Sequence, residues 1–177
     1  HDQEASHLTV LLSLAGQGYE VHLIEKSNQL GGLLRNVRKT VQGGNVNHFL
    51  QDTIQKVNSH PSIQVHLNCE VKSYDGFVGN FSTTTSNNKI IQHGATILAT
   101  GGIEYSPEEY GYRSSDKIIT QRELENYIAS GHINSSQSFV MIQCVGSREN
   151  DTNYCSRICC LDALKNALII KKENPDI

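Results

Sequence analysis

Hydrophobic residues recur at helical spacing in two stretches of the chain. They share one face over residues 5–17 and again from residue 46 to the break at Pro61, and the apolar-rich run CLDALKNALIIKK, residues 160–172, predicts a third long helix. A shorter helix is predicted from Thr120 to about residue 130, because Thr120-Gln-Arg-Glu123 has the form of a capping box. The pattern therefore predicts four helices. In the second of them, one face is expected to carry Val46, Phe49, Leu50, Ile54 and Val57.

Short β-rich runs lie between these helices. Residues 19–26, YEVHLIEK, form a compact run that includes a carboxylate at Glu25. Several runs separated by turn signals follow over residues 62–100, which predicts a meander that leads to a buried strand at 95–100. Residues 138–145, SFVMIQCV, predict another buried strand. Because helices and strands alternate in this way, the predicted fold class is α/β.

Composition narrows the classes of function. The 177 residues are 37% hydrophobic and 19% charged, with a net charge of −3, and the 15 Lys and Arg residues are scattered, so nucleic acid is not an expected partner. No apolar run approaches the roughly 18 residues of a membrane span. The first residues, HDQEASH, lack the order of a signal peptide. We therefore expect a cytoplasmic protein with reduced thiols.

Three features favour a dinucleotide site in the first half of the chain. A strand that ends near a carboxylate, here Glu25, is typical of nucleotide-binding βαβ units, in which the carboxylate accepts hydrogen bonds from ribose. By itself, Glu25 is explained equally well as a solvated residue at a strand end. Gly31-Gly32 and the ATGG sequence at 99–102 add two places where backbone can approach a pyrophosphate. Together the three features favour a flavin-binding site.

The residues before the first helix argue against tight flavin binding. Alignment with the G-x-G-x-x-G turn of such sites places Asp2, Glu4 and His7 on its three glycines. The two carboxylates would repel a pyrophosphate, and no predicted strand precedes the helix. The sequence therefore predicts a site that lacks its first strand and Gly loop and retains FAD poorly.

Four of the five cysteines lie in QCVGSRENDTNYCSRICC, residues 143–160, with the spacing C-x10-C-x3-C-C. Structural zinc prefers C-x2–4-C pairs, and a thioredoxin-type dithiol is C-x-x-C, so neither pattern fits well. Four thiolates can instead close around a [4Fe-4S] cluster, whose charge Arg148 and Arg157 would offset. Spacing favours the cluster over zinc or a redox disulfide without excluding them. The fifth cysteine, Cys69, is expected to be a small buried hydrophobe.

The motifs QCVGSR, YCSRICC and ALKNAL, together with GFVGNF, ILATGG and GYEVHLIEKSNQLGG, resemble the A subunit of heterodisulfide reductase. The resemblance runs from about residue 8 to residue 177 without a clear gap. It implies an FAD/NAD(P)-binding Rossmann-like core of thioredoxin-reductase type with a β-meander, truncated at both ends. It also implies one [4Fe-4S] cluster on Cys144, Cys155, Cys159 and Cys160, and FAD near Glu25, Lys26, Gly31, Gly32, Val71, Thr100 and Gly101.

The resemblance further implies a division into three parts. Residues 1–110 would be a partial FAD-binding domain, residues 111–135 a connection with a short helix, and residues 136–177 the start of a second Rossmann-like domain with the cysteine loop. The function implied is electron transfer between FAD and the cluster, inside an oxidoreductase complex of several subunits, with a possible homodimer of the full-length protein. Two alternatives stay open: a pyridine-nucleotide disulfide oxidoreductase with a redox-active cysteine pair, and a non-enzymatic zinc-binding or degenerate fragment.

Overall fold

The computed structural model describes residues 2–134, 137–149 and 151–177, with the backbone alone for residues 2–6. It contains helices together with a parallel and an antiparallel sheet, which confirms the predicted α/β class. Among the residues described, no helix is both long enough and apolar enough to cross a membrane.

The chain forms two compact units. One consists of the chain up to Leu34 together with His48–Gly101, and the other of Arg35–Asn47 together with Gly102–Ile177. Each unit is therefore assembled from segments that are separated in sequence.

The first unit is built on a parallel strand pair. Helix α1 (Asp2–Gly16) is followed by strand β1 (Val21–Ile24), helix α2 (Val46–Ser59) and strand β2 (Ile63–His66). Strands β1 and β2 are parallel and in register from Val21–Ile63 to Ile24–His66, as expected for two strands joined by a crossover helix. The predicted helices and strand in this region are confirmed.

The predicted meander is also present in the first unit. Strands β3 (Val71–Phe77), β4 (Asn80–Thr85) and β5 (Ile90–His93) form an antiparallel sheet in that order. Aromatic rings from all three strands pack on one face, with centroid distances of 5.1–6.0 Å among Tyr74, Phe81 and His93. Such cross-strand pairs stabilise a sheet that has water on its other side.

The core-facing side of α2 differs in part from the prediction. Val46, Leu50 and Val57 are buried as expected, but Phe49 is 44% exposed and Thr53 takes a buried position on that face. The Thr53 hydroxyl donates a hydrogen bond to the Phe49 carbonyl, so a polar residue can be buried there without an unpaired group.

The second unit has helix α3 (Gln121–Ala129) and helix α4 (Ile158–Glu173) in contact. The predicted capping box is confirmed: the Glu123 N–H donates to the Thr120 hydroxyl, and the Thr120 N–H donates to the Glu123 carboxylate at 2.7 Å. The core of this unit consists of buried and partly buried residues from the helices and from flanking loops: Leu124, Ile128, Ile133, Phe139, Met141, Ile169, Ile170 and Ile177.

Two predicted buried strands are wrong. Residues 95–100 and 138–145 form no strand, and Leu98 and Val140 are 85% and 89% exposed. The second stretch still alternates, because Phe139 and Met141 pack on the core while Val140 points to solvent. A strand requires a hydrogen-bonding neighbour, and within the described ranges none pairs with either stretch.

The predicted glycine-loop positions lie in a helix. Residues 2–7 belong to α1, so Asp2, Glu4 and His7 are not in a turn before it, as the motif alignment required. The side chains of Asp2 and Glu4 lie outside the described part of the molecule. A helical backbone satisfies its own N–H groups after the first turn, so this segment has no wide loop with which to cradle a phosphate.

Candidate functional site

The cysteine loop of the second unit is held by backbone hydrogen bonds. Cys144 has φ +62°, and its carbonyl accepts from the Ser147 N–H at 3.1 Å. Further along, the Arg148 N–H is shared between the carbonyls of Thr152, at 2.8 Å, and Tyr154, at 3.3 Å. These bonds fold the loop back on itself, which brings residue 155 towards the start of the loop.

Gly146 is required by the way this loop packs. Its φ is +68°, and a Cβ atom at this position would lie 2.4 Å from ring atoms of Tyr105. The Tyr105 hydroxyl donates to the Glu109 carboxylate at 3.0 Å, and this hydrogen bond raises the pKa of Tyr105. Backbone N–H groups, first that of Glu109 itself, lower the pKa of the Glu109 carboxyl. A fixed aromatic ring therefore covers the loop at a point where only glycine fits.

The other three cysteines surround the start of α4. Arg157, the residue before the helix, has a left-handed backbone with φ +59°, and its N–H donates to the Cys155 sulfur at 3.4 Å. Cys159 and Cys160 lie in the first turn of α4. The start of a helix presents backbone N–H groups without intrahelical partners and the positive end of the helix dipole.

The four thiols share one electrostatic neighbourhood. The pKa of the Cys160 thiol is raised, first by the charge of Cys159, with smaller contributions from Cys144 and Cys155. Cys144 and Cys159 are half-buried, whereas Cys155 and Cys160 are exposed. The structure places Cys155 just before α4 and Cys159 and Cys160 in its first turn, with Cys144 at the other end of the loop, and the role of the four as ligands stays a prediction. Cys69, 1% exposed in the other unit, is the buried small residue that was expected.

The cysteine loop carries four thiols, the number of ligands that a [4Fe-4S] cluster takes. No group of three or more His, Cys, Asp or Glu side chains among the described residues is placed to hold one metal ion. In a [4Fe-4S] cluster each cysteine binds a different iron, so the four sulfurs surround a space and do not converge on one point. Four thiols with a backbone donor on one sulfur, and with Arg148 and Arg157 in the same loop, match that chemistry.

The predicted flavin residues lie in the first unit, and Glu25 has a local role there. Its carboxylate accepts from the Ser27 N–H at 2.7 Å and from the Ser27 hydroxyl at 2.6 Å, which fixes the turn after β1. Its carbonyl accepts from the Cys69 N–H at 3.0 Å, so Glu25 and Val71 lie on neighbouring segments. The hydrogen bonds to Ser27 therefore explain the position of the Glu25 side chain without a bound ribose.

The predicted glycines have conformations that favour glycine. Gly31 has φ +110° and Gly32 has φ +44°, at the start of a short 3-10 helix (Gly32–Asn36), and Gly101 has φ +70°. Glycine at these positions lets the backbone approach a ligand closely. Tight turns also require glycine at positive φ, so the conformation alone does not distinguish the two roles. The remaining predicted contacts are exposed: Lys26, Val71 and Thr100.

Sequence reasoning missed a buried charged group beside the cysteine helix. Lys165 is 2% exposed and pairs with Glu125, which is 5% exposed. The sequence signal for this buried group was Lys165 itself, a charged residue in the middle of the apolar run CLDALKNALIIKK. Apolar residues occur on all sides of that helix, however, so the pattern did not show which face was buried.

The chain is similar to iron-sulfur subunits of oxidoreductases, although no family model matches it. It is 27% identical over 266 positions to one of the iron-sulfur A subunits of CoB–CoM heterodisulfide reductase in Methanopyrus kandleri, and 27% identical over 260 positions to the corresponding A subunit of Methanocaldococcus jannaschii. Each alignment covers 93% of this chain and 40% of the relative. The A subunit of the H2:CoB-CoM heterodisulfide,ferredoxin reductase of Methanothermobacter thermautotrophicus is 39% identical over 102 positions, covering 49% of this chain and 16% of the relative.

These comparisons confirm the predicted resemblance to the A subunit of heterodisulfide reductase. The chain spans about 40% of the length of the relatives that match most of it. The alignment with the Methanopyrus protein is 266 positions long, whereas the chain has 177 residues, so at least 89 of those positions have no counterpart here. Those positions lie within the aligned stretch, so the relative has a longer chain between shared segments, and the expectation of a resemblance without a clear gap is wrong.

Proposed function

We propose that this chain belongs to an electron-transfer flavoprotein subunit of heterodisulfide reductase type, in which the cysteine loop binds one [4Fe-4S] cluster. The observation that carries the proposal is the placement of four free cysteines in the loop before α4 and in its first turn, in a chain similar to iron-sulfur subunits over 93% of its length. The proposed ligands are Cys144, Cys155, Cys159 and Cys160.

A bound cluster supplies one-electron transfer, and a bound flavin supplies exchange of an electron pair. The chain's own residues would set the conditions for that transfer. The Arg157 N–H donates to the Cys155 sulfur, Arg148 and Arg157 add positive charge to the loop, and Tyr105 covers Gly146. No side chain here needs to act as an acid, a base or a nucleophile.

The flavin part of the proposal rests on the first unit. We propose a Rossmann-like site at the carboxyl end of β1, with Glu25, Lys26, Gly31, Gly32, Val71, Thr100 and Gly101 near FAD. The parallel β1–α2–β2 arrangement and the positive φ of the three glycines support it. Because the three glycines of the G-x-G-x-x-G turn are absent and residues 2–7 are helical, FAD is expected to bind weakly to this chain.

The domain division, the partners, the location and the oligomeric state are proposals. The three-part division at residues 110 and 135 has its second boundary outside the described residues. Other members of an electron-transfer complex are the proposed partners, and a cytoplasmic location and a homodimer of the full-length protein are proposed as well. The relatives' names describe subunits of reductases, which supports the proposed oxidoreductase complex.

Anaerobic reconstitution tests the cluster. The chain is incubated with ferrous iron and sulfide, desalted, assayed for iron, and examined by visible spectroscopy and by low-temperature EPR after reduction. We expect about four iron atoms per chain, as a [4Fe-4S] centre requires. Cys159→Ser should lower the iron content and change or abolish the EPR signal, because serine is a poorer ligand than thiolate for iron-sulfur centres.

Cys69→Ala provides the matched control, since Cys69 is the one cysteine outside the loop. It should keep the iron content and the spectrum of the unmodified chain. A Cys159→Ser variant with an unchanged cluster signal would contradict the ligand assignment. Protein that takes up zinc and no iron, or that shows two thiols cycling as a disulfide with a nicotinamide donor, would contradict the cluster itself.

A further inference from the structure

A buried ion pair joins the two helices of the second unit. The Lys165 ammonium on α4 lies 2.9 Å from a carboxylate oxygen of Glu125 on α3 and 3.1 Å from the Asp162 carboxylate. The side chains of Lys165 and Glu125 are 2% and 7% exposed. Charges removed from water to this extent persist only when they are paired, so the positions of the two helices depend on each other.

The second carboxylate oxygen of Glu125 is bound to a different segment. It accepts from the backbone N–H of Arg38 at 2.5 Å and of Lys39 at 3.4 Å. These two residues belong to the turn-forming segment Arg35–Asn47, which begins three residues after the predicted flavin glycines. Glu125 thus connects that segment, through Lys165, to the helix that carries two of the cysteines.

Lys165 lies on the helix whose first turn holds Cys159 and Cys160. Lys165 follows Cys159 by six residues, which corresponds to about 9 Å along the helix axis. Solvent screens a buried charge much less than an exposed one over such a distance. Asn166, which is fully buried, donates to the carbonyl and side chain of Gln121 at 3.2 and 3.0 Å and holds α4 on α3 beside the pair.

We infer that Glu125 and Lys165 are positioning residues for the cysteine site: they couple the segment 35–47 to α4 and set the reduction potential of the cluster bound at the start of α4. The second part rests on the proposed function. Reduction adds negative charge to a cluster, so the Lys165 ammonium favours the reduced state and the Glu125 carboxylate opposes it. Removal of either charge therefore shifts the potential, in opposite directions, provided that the other member of the pair stays charged.

A redox titration of the reconstituted full chain, followed by EPR, tests the electrostatic part. Lys165→Met should make the potential more negative, Glu125→Gln should make it less negative, and Lys165→Arg should stay close to the unmodified chain. Lys171→Met is the matched control, because Lys171 lies on the same helix but is exposed and donates to the Pro175 carbonyl. A merely structural pair would give shifts of the same sign or a loss of iron. Unchanged potentials, or shifts of the same sign at full iron content, overturn the inference.

Hydrogen exchange of the chain without iron tests the coupling independently of any cluster. Lys165→Met should accelerate exchange of the Arg38 and Lys39 amides roughly tenfold or more, although neither amide contacts Lys165, because Glu125 loses its cation. Lys171→Met should leave both amides unchanged. If exchange at Arg38 does not respond to Lys165→Met, the coupling is refuted. If the unmodified chain assembles no cluster while exchange responds as expected, the proposed function fails and the coupling stands.

Discussion

At the scale of single residues, two histidines on the parallel strands form a direct pair. The Nδ1 atom of His22 lies 3.0 Å from the Nε2 atom of His66, and the rings are stacked with centroids 5.3 Å apart. Burial, and next the charge of Lys89, lowers the pKa of both rings below 6.5, although Glu20 partly opposes this at His22. One ring must accept the hydrogen bond, so the pair requires at least one neutral imidazole.

The pair makes stability depend on pH. With folded pKa values below the unfolded value of 6.5, the unfolded chain binds more protons, so the free energy of unfolding decreases as the pH falls through 6.5. We expect urea denaturation to show lower stability at about pH 5.5 than at about pH 8, and His22→Gln/His66→Gln to reduce that difference. His132→Gln, in the other unit, is the control. Equal pH dependence in the double variant and the unmodified chain would refute the assignment.

At the scale of elements, the structure agrees with the sequence wherever a local signal exists. The capping box of Thr120 and Glu123, the apolar faces of the helices and the turn-separated runs of the meander all specify nearby residues. The strands at 95–100 and 138–145 were predicted from composition alone, and their formation depends on partners far away in the chain. Local patterns therefore determined which segments are helical but did not determine strand pairing.

The β3–β4 hairpin offers a matched test of backbone packing. Gly76 and Gly79 both have positive φ, +105° and +89°, but only at Gly76 would a Cβ meet backbone, 2.3 Å from the Asn80 carbonyl oxygen. Gly79→Ala should cost about 1–2 kcal/mol from conformation alone. Gly76→Ala should cost a further 1–3 kcal/mol or so, because the backbone has to move. Chemical denaturation measures the loss of stability in both variants. Equal losses would show that the hairpin backbone moves away from a Cβ at residue 76 at no cost.

At the scale of the whole molecule, the chain exposes much apolar surface. Leu98, Ile103 and Val140 are 85–95% exposed on stretches without strand partners. Unpaired extended segments of this kind are templates for pairing with another chain. The relatives that match most of this chain are more than twice as long, so such surface is expected to be covered in an assembly of their type.

Two valines of nearly equal exposure test whether the unpaired stretch 138–145 causes self-association of the chain. Val140 is 89% exposed on the extended stretch, and Val78 is 87% exposed at the tip of the β3–β4 hairpin, where both strands are already paired. Val140→Lys should reduce concentration-dependent self-association in sedimentation velocity, because the charge opposes strand addition. Val78→Lys should have a smaller effect. If both variants behave alike, the association depends on exposed apolar area and not on the free backbone.

The sequence by itself determined the four helices, the meander, the gathering of Cys144, Cys155, Cys159 and Cys160 in one loop, and the resemblance to the A subunit of heterodisulfide reductase. Each of these depends on residues that are close in the chain or on the order of motifs along it. Only the tertiary structure decided that two apolar stretches stay unpaired and that Glu125 and Lys165 are buried together. Those outcomes depend on contacts between distant segments: Glu125 and Lys165 are 40 positions apart in the sequence, and no local pattern specifies their contact.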